Sequence, residues 1–263
     1  MTKKGIFDLS GKVALVTGGG SGIGRAYCEA MAEFGADVAC NDIHGETAQE
    51  TVRLISKFGH RAIAVRADAS NQDEIEHMVD WTVEELGKLD IVFCNAGVII
   101  PSYRIHETLV EDWDRLMALN LRGVFLLMRA ALRYMVKQKG GCIINTASVA
   151  GLWVGGEGKN IANLAAYGAA KAGVIHLTRH AAVEYGRDGI RVNAIAPGVH
   201  RTGLDSAIPR EIREEIEDTV VRNTPLRRVG MPEELKGLAV WLASDASSYV
   251  TGQVIAQDGG LCL

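Results

Sequence analysis

Residues 13–24 read Val-Ala-Leu-Val-Thr-Gly-Gly-Gly-Ser-Gly-Ile-Gly, an apolar run that leads into a loop of glycines. The next residues, Arg25-Ala-Tyr-Cys-Glu-Ala-Met31, form a helical pattern, so the stretch predicts a strand, a glycine turn and a helix. Glycine at positions 18, 22 and 24 lets the backbone turn tightly and approach a pyrophosphate, whose charge the helix N-terminus stabilises. The alternative is a turn that needs only a positive φ. With a strand before it and a helix after it, the loop favours dinucleotide binding.

Six more short apolar runs alternate with longer amphipathic segments along the chain. The strand candidates are Val13–Thr17, Asp37–Cys40, Ala62–Val65, Asp90–Cys94, Cys142–Asn145, Arg191–Ile195 and Gln253–Ala256. The helix candidates between them include Gly24–Phe34, Glu46–Phe58 and Glu111–Lys137. This alternation predicts an α/β fold of the Rossmann type, with a doubly wound, seven-stranded parallel sheet and helices on both faces. Because no linker or composition shift interrupts it, residues 1–263 are predicted to form a single domain.

Charge and cysteine content exclude several classes of partner. The 28 basic and 32 acidic residues give a net charge of −4, so we expect neither nucleic acid nor a membrane as a partner. The five cysteines are widely spaced and include no C-x-x-C pair, which predicts no disulfide framework and no metal site. The chain begins without an apolar targeting segment. We therefore expect an untargeted, cytoplasmic protein.

Two carboxylates are candidates for contacts with the adenosine half of a cofactor. Asp42 ends the second strand, where a carboxylate can accept hydrogen bonds from a ribose diol and repel a 2′-phosphate. No Lys or Arg stands at 18–24 or at 43, which favours NAD over NADP. Asp42 can equally be a cap or turn residue, and both roles are compatible. Asp68 either meets the adenine amino group or caps a helix.

Tyr167-Gly-Ala-Ala-Lys171 places a phenol and an ammonium one helical turn apart, on a helix that continues through Ala182. The lysine charge favours phenolate and is expected to lower the pKa of Tyr167, which suits alcohol–ketone interconversion. The same spacing also arises by chance on solvated helices. Ser148 and Asn95-Ala-Gly97 follow two apolar strands, at the sheet edge where ligands collect.

From about Leu9 to the C-terminus the chain resembles the short-chain dehydrogenase/reductase family, in its compact single-domain branch. The matching motifs are Thr17–Gly24, Cys94-Asn-Ala-Gly97, Asn120, Ser148, Tyr167 with Lys171, Pro197-Gly-Val-His-Arg-Thr202, Pro232-Glu-Glu, Leu242-Ala-Ser-Asp and Val250-Thr-Gly-Gln with Asp258-Gly-Gly260. Cys94 replaces the family's first Asn, and Ala147 stands where a second Ser is frequent. We expect neither departure to abolish activity, and we read Cys94 as a small buried hydrophobe.

The resemblance implies a role for each catalytic residue. Tyr167 would exchange the proton with the substrate oxygen, and Ser148 would orient and polarise that oxygen. Lys171 would lower the Tyr167 pKa and bind the nicotinamide ribose. Asn120 would hold a water that links Lys171 to solvent, and it marks an irregularity in its helix.

The resemblance also implies a cofactor site, in which the Val199 backbone and the Thr202 side chain hold the carboxamide. The expected cofactor contacts are Gly18, Ser21, Gly22, Ile23, Gly24, Asp42, Asp68, Ala69, Asn95, Ala96, Gly97, Tyr167, Lys171, Pro197, Gly198, Val199 and Thr202.

The sequence indicates the residues around the substrate less clearly than those around the cofactor. Ser148 and Tyr167 are 19 residues apart, several more than is common in the family, and the extra residues lie in the glycine-rich stretch 151–163. Leu152, Trp153 and Val154 there are either an apolar pocket wall beside Ser148 and Tyr167 or part of a surface insertion.

A lid segment is predicted over about 203–226, where Ile208, Ile212, Ile216 and Val220 recur on one helical face. The same stripe is expected of any helix packed on a core.

Arg104, His106 and Arg201 are consistent with an anionic substrate group, although solvated surface bases are the commoner interpretation.

The expected function is NAD-dependent interconversion of a secondary alcohol and a ketone. A 3-ketoacyl-thioester reductase is the first alternative, but that branch usually prefers NADPH, and Asp42 argues against it. A non-catalytic NAD-binding scaffold or sensor is the second, and the intact catalytic positions argue against it.

The resemblance implies a homotetramer packed through Glu111–Lys137 and the helix from Tyr167, where Val124–Met128 and Ala169–Ile175 are apolar on more than one face. Burial within the protomer is the alternative.

Overall fold

The computed structural model describes residues 5–100, 104–154, 164–203 and 210–263. Its centre is a seven-stranded sheet in the order β3-β2-β1-β4-β5-β6-β7, with every neighbouring pair parallel. The strands are β1 (Val13–Val16), β2 (Asp37–Asp42), β3 (Ala62–Arg66), β4 (Ile91–Cys94), β5 (Gly141–Thr146), β6 (Ile190–Pro197) and β7 (Val254–Gln257). The predicted Rossmann-type sheet is confirmed.

Helices connect successive strands and lie on both faces of this sheet. The α-helices are α1 (Gly22–Glu33), α2 (Gly45–Ile55), α3 (Gln72–Leu86), α4 (Val110–Met117), α5 (Val124–Gln138), α6 (Ala165–Tyr185), α7 (Arg210–Asn223) and α8 (Lys236–Ala243). Short 3-10 turns lie at Ser56–Phe58, Ile105–Glu107, Val149–Gly151, Gly186–Asp188, Pro232–Leu235 and Asp245–Ser247. No helix within the described ranges is both long enough and apolar enough to cross a bilayer.

The central strands are apolar at consecutive positions because both sheet faces are covered. Val13 and Leu15 of β1 pack into a core with α3, α5 and α6, whereas Ala14 and Val16 pack into a second core with α1, α2 and α8. All four β1 residues are buried. This burial explains why the strands read as unbroken apolar runs rather than as alternating ones.

The segment Glu111–Lys137, predicted as one crossover helix, is interrupted in the structure. A π-helical segment, Ala118–Gly123, separates α4 from α5 and contains the buried Asn120. The Asn120 amide pairs with the Val98 backbone: the Val98 N–H donates to Oδ1 at 2.9 Å, and Nδ2 donates to the Val98 carbonyl at 2.8 Å. The irregularity expected at Asn120 is therefore present, and the single long helix was wrong.

Because the strands are parallel, their carboxyl ends meet at one edge of the sheet. The glycine loop follows β1, Asp42 ends β2, and Asn95 follows β4. Ser148 and Gly198 follow β5 and β6 at the same edge. The crossovers from β1 and from β4 leave in opposite directions along the sheet, and such a switch point is where open α/β sheets bind ligands.

Candidate active site

The glycine loop adopts the geometry for which its glycines were singled out. Gly18 and Gly22 have φ values of +64° and +50°, in the left-handed region that glycine adopts without strain. A Cβ at Gly24 would lie 2.0 Å from the Gly18 carbonyl oxygen, so the start of α1 can reach β1 only without a side chain there. Ser21, the N-cap of α1, makes no side-chain capping bond, and the first turn carries no acidic residue. This cradle fits a pyrophosphate.

A buried threonine fixes the loop against the neighbouring strand. The Thr17 hydroxyl donates to the Phe93 carbonyl at 3.2 Å and accepts the N–H groups of Asn95 and Ala96 at 3.0 and 3.2 Å. A Cβ at Gly18 would then lie 3.1 Å from the Ala96 Cα. In the sequence Thr17 is only one residue of a motif, and its structural role is not predictable from the motif because its partners lie 76 to 79 residues away.

The two candidate adenosine carboxylates have different surroundings. Asp42 accepts the Gly20 N–H at Oδ2 and the His44 N–H at Oδ1, both at 3.0 Å, so it is a turn residue with a fixed carboxylate. This geometry is compatible with Asp42 as a ligand of the ribose diol and with Asp42 as a turn residue. Asp68 accepts the Ser70 N–H and hydroxyl at Oδ1. It does not cap α3, because Asn71 does.

Tyr167, Lys171 and Ser148 converge between α6 and the end of β5. The Lys171 ammonium donates to the Thr146 carbonyl at 2.7 Å and lies 5.6 Å from the centroid of the Tyr167 ring. Ser148 accepts the Ala150 N–H at 3.2 Å. Only 8% of Tyr167, 8% of Ser148 and 2% of Lys171 is exposed, so these polar groups face one another in a nearly dry site. The Thr146 carbonyl was not identified from the sequence, because every residue carries one.

The protonation of this group differs from the expectation. Burial raises the pKa of Tyr167 to about 12, and a hydrogen bond with Ser148 lowers it only in part. Burial lowers the pKa of Lys171 to about 8. The predicted lowering of the Tyr167 pKa is therefore not what this structure shows, because desolvation of the phenolate is the largest effect and the Ser148 hydrogen bond offsets it only in part. At neutral pH the tyrosine is a protonated donor.

Two other positions near Lys171 behave as small or structural residues. Cys94 is buried, and burial raises the pKa of its thiol, which agrees with its interpretation as a hydrophobe. A Cβ at Gly97 would lie 3.2 Å from Oδ1 of Asn120, so glycine lets Asn120 pack beneath the site. The water-holding role of Asn120 stays a prediction.

The Pro197–Thr202 segment is anchored at both sides. The Gly198 N–H donates to the Gln257 carbonyl at 3.0 Å, and the Val199 carbonyl accepts the Gly230 N–H at 2.9 Å. A Cβ at Gly22 would lie 3.3 Å from the Thr202 Cβ. Thr202 therefore packs close to the glycine loop, and both line the cleft that a nicotinamide dinucleotide would occupy.

All of these elements line one cleft of about 2190 Å³. The cleft exceeds the several hundred Å³ typical of a small-molecule pocket and has room for a dinucleotide with a second ligand. It includes every expected cofactor contact, together with Ser148, Leu152, Trp153 and Val154, whereas Asn120 lies behind its wall. The cleft is also lined by residues that no sequence motif indicates, among them Ile100, Leu164, Arg213, Leu261 and Leu263.

The lid segment is described in part. Helix α7 covers Arg210–Asn223, and Val220 is buried and lines the cleft. Ile208, the side chains of Ile212 and Ile216, and residues 155–163 of the glycine-rich stretch lie outside the described part of the structure.

Comparison with known proteins agrees with this geometry. A family model described as enoyl-(acyl carrier protein) reductase matches residues 18–262. The chain belongs to the short-chain dehydrogenase/reductase family. It is 41% identical over 249 residues to cis-4-hydroxycyclohexanecarboxylate dehydrogenase of Sinomonas cyclohexanicum, covering 95% of this chain and 96% of the relative. It is 38% identical to 3-oxoacyl-[acyl-carrier-protein] reductase of Thermotoga maritima, covering 97% and 99%.

Solved structures in the family superpose on most of the chain. A short-chain type dehydrogenase/reductase from Mycobacterium marinum has a TM-score of 0.91 at 40% identity, with 98% of both chains covered. A 7α-hydroxysteroid dehydrogenase complexed with NADH has a TM-score of 0.88 at 34% identity, covering 99% and 98%. The NADPH-dependent 3-quinuclidinone reductase from Rhodotorula rubra has a TM-score of 0.89 at 31% identity, covering 98% and 93%. Of these similar structures, one is complexed with NADH and another is described as NADPH-dependent.

Proposed function

We propose that this protein is an NAD(H)-dependent oxidoreductase that interconverts a secondary alcohol and a ketone. The observation that carries the proposal is the buried convergence of Tyr167, Lys171 and Ser148 in the cleft that contains the glycine cradle. A bound nicotinamide ring supplies or accepts the hydride. The chain supplies a fixed proton donor, a polarising hydroxyl and a site from which water is largely excluded.

In the reductive direction, Tyr167 begins as a phenol, since its pKa is raised to about 12. Its Oη donates the proton to the substrate oxygen as negative charge develops there, and the Ser148 hydroxyl orients that oxygen. The resulting phenolate lies beside the Lys171 ammonium, which the Thr146 carbonyl holds at 2.7 Å. Oxidation reverses these steps, with the phenolate accepting the alcohol proton.

The test is a turnover screen at 340 nm with NAD and NADP in parallel. The panel contains secondary cyclic alcohols, sugars, steroids, hydroxyacyl thioesters and, because of the Sinomonas relative, 4-hydroxycyclohexanecarboxylate. We expect turnover with NAD. If the protein binds NADH but turns over no member of this panel, the result favours the non-catalytic scaffold. Turnover of hydroxyacyl thioesters with NADP alone would support the 3-ketoacyl-thioester reductase, the function named for the Thermotoga relative.

Asp42 is proposed to select NAD over NADP. Its carboxylate is held by two backbone N–H groups at the end of β2, where it would accept the ribose diol and repel a 2′-phosphate. Asp42→Ala is expected to weaken NAD binding. The ratio of kcat/KM with NADP to kcat/KM with NAD should rise by about tenfold or more. Asp68→Ala is the matched comparison. An unchanged cofactor ratio in the Asp42 variant would contradict the assignment.

We further propose that the chain is one domain with a substrate lid at about 203–226 and that it forms a homotetramer in the cytoplasm. Five free cysteines are consistent with a reducing compartment.

Most of Val124–Met128 is buried within the protomer, so support for assembly comes from Phe125 on α5 and Val183 on α6, which are 48% and 84% exposed. Light scattering at micromolar concentration should give four times the chain mass, and a monomer would contradict assembly.

A further inference from the structure

Several basic residues line the cleft, and acidic side chains pair with only some of them. Of the bases singled out earlier, Arg201 is paired with Glu217. His106 lies 3.7 Å from Glu107 and is not among the residues lining the cleft. Arg104 lines the cleft but is exposed to solvent. Paired or outward-facing bases of this kind are poor anion sites, because their charge is already compensated or solvated.

Helix α7 contributes several residues to the lining of this cleft. The lining residues on the helix include Arg210, Arg213, Glu214, Glu217 and Val220, at the three- and four-residue spacing of a single helical face. Arg210 pairs with Glu214 at 2.7 Å, and Glu217 pairs with Arg201. Arg213 is left on the same face with no acidic partner among the residues whose positions are described.

Arg213 also has an unmet hydrogen-bond requirement. Its Nε atom is buried and has no hydrogen-bond partner in the described part of the chain. A buried donor without an acceptor is costly, and such donors normally have a partner in the functional state of a protein. The Nε atom forms one edge of the guanidinium fork, which matches the two oxygens of a carboxylate.

We propose that the substrate carries a carboxylate, which Arg213 binds from the lid while its hydroxyl or keto group meets Tyr167. The carbon skeleton between the two groups would lie against Ile100, Trp153 and Leu164, which are apolar lining residues of the same cleft. The substrate class is therefore an apolar hydroxy acid or the matching oxo acid. This inference rests on the proposed function for the reacting end of the molecule only.

The experiment compares hydroxy acids of several ring skeletons with their uncharged carboxamides, using wild type, Arg213→Gln, Arg213→Lys and Arg222→Gln. Arg222 lies on the same helix, is exposed and is not part of the cleft lining, so it serves as the matched control. We expect wild type to prefer the acid. Arg213→Gln should lower kcat/KM for the acid by about 30-fold or more and change that for the carboxamide by less than about threefold. Arg213→Lys should retain part of the preference, since a point charge replaces the fork.

A second readout does not require turnover. Calorimetry measures the affinity of cyclohexanecarboxylate, which has no reacting hydroxyl, for the protein saturated with NADH. Arg213→Gln should weaken this affinity by about 30-fold or more, whereas Arg222→Gln should not. Binding that depends on Arg213 in a protein without turnover would uphold this inference and contradict the proposed function. Turnover of neutral alcohols with no preference for the acid, or an equal loss on both substrates in Arg213→Gln, would overturn the inference alone.

Discussion

Replacing Tyr167 by phenylalanine is expected to lower kcat by about 10²- to 10⁴-fold, the usual contribution of a positioned general acid or base. The change removes one oxygen from a side chain that is 8% exposed and keeps the ring that packs with Ile100 and Leu116. The proton donor is then lost with little change in packing. Steady-state kinetics at 340 nm, with the substrate identified by the screen, measures the effect.

The control separates the chemistry from cofactor binding and from folding. NADH affinity, measured by fluorescence titration, should change by less than about tenfold, since the cradle at Gly18–Gly24 is untouched. Tyr134→Phe is the matched variant, because the Tyr134 hydroxyl donates to Asp80 at 2.8 Å on the surface of α5. It should keep full turnover. A Tyr167→Phe enzyme with near-wild-type kcat would assign proton transfer to another group.

The fold was predictable because its signals are local. Each strand of the sheet is four to eight residues long and contains a short apolar stretch, and the crossovers between the strands have helical patterns. Glu111–Lys137 shows the limit of that reasoning. Its periodicity is continuous, and the π-helical interruption depends on the bond between Asn120 and the backbone of Val98, which lies 22 residues away in sequence. A pattern within one segment contains no information about such a partner.

In the candidate site, too, the features that depend on local patterns were predictable and those that depend on distant contacts were not. Asp42, Ser148 and Tyr167 could be placed because strand ends of a parallel sheet meet at one edge. The pKa of Tyr167 could not be predicted from its spacing to Lys171, because burial decides it. Likewise, the sequence alone does not distinguish Arg201 from Arg213 as a possible anion ligand. Only the structure shows that Glu217 compensates the first and that the Nε atom of the second has no acceptor in the described residues.

Replacing Lys171 by methionine is expected to remove turnover and, near pH 7, to increase the free energy of unfolding. Lys171 is 2% exposed, and in the described structure one carbonyl compensates its ammonium, so burial of the charge is costly. Burial lowers the Lys171 pKa to about 8 from the ordinary 10.5. That difference corresponds to roughly 3 kcal/mol, part of which the variant loses again with the bond to Thr146.

The pH dependence has a definite sign. Between about pH 8 and 10.5 the unfolded chain holds one more proton at Lys171 than the folded chain does. Unfolding then takes up a proton, so this residue makes the wild type more stable as pH rises through the window, and it contributes no further change above it. The stability advantage of Lys171→Met should therefore shrink by roughly 3 kcal/mol from pH 7.5 to 10.5. The buried cysteines and tyrosines titrate in both proteins, so their effects cancel in the difference.

Urea unfolding of wild type, Lys171→Met and Lys57→Met across this range measures the difference. Lys57 is exposed, so its replacement should leave a gap to wild type that does not change with pH. A gap for Lys171→Met that stays constant or widens with pH would mean that the ammonium is not destabilised by burial. In that case Tyr167 would face a fully protonated lysine throughout the neutral range, and the same residue would stabilise the phenolate without any cost to the fold. A narrowing gap instead identifies Lys171 as a group whose burial lowers stability in exchange for a charge beside the proton donor.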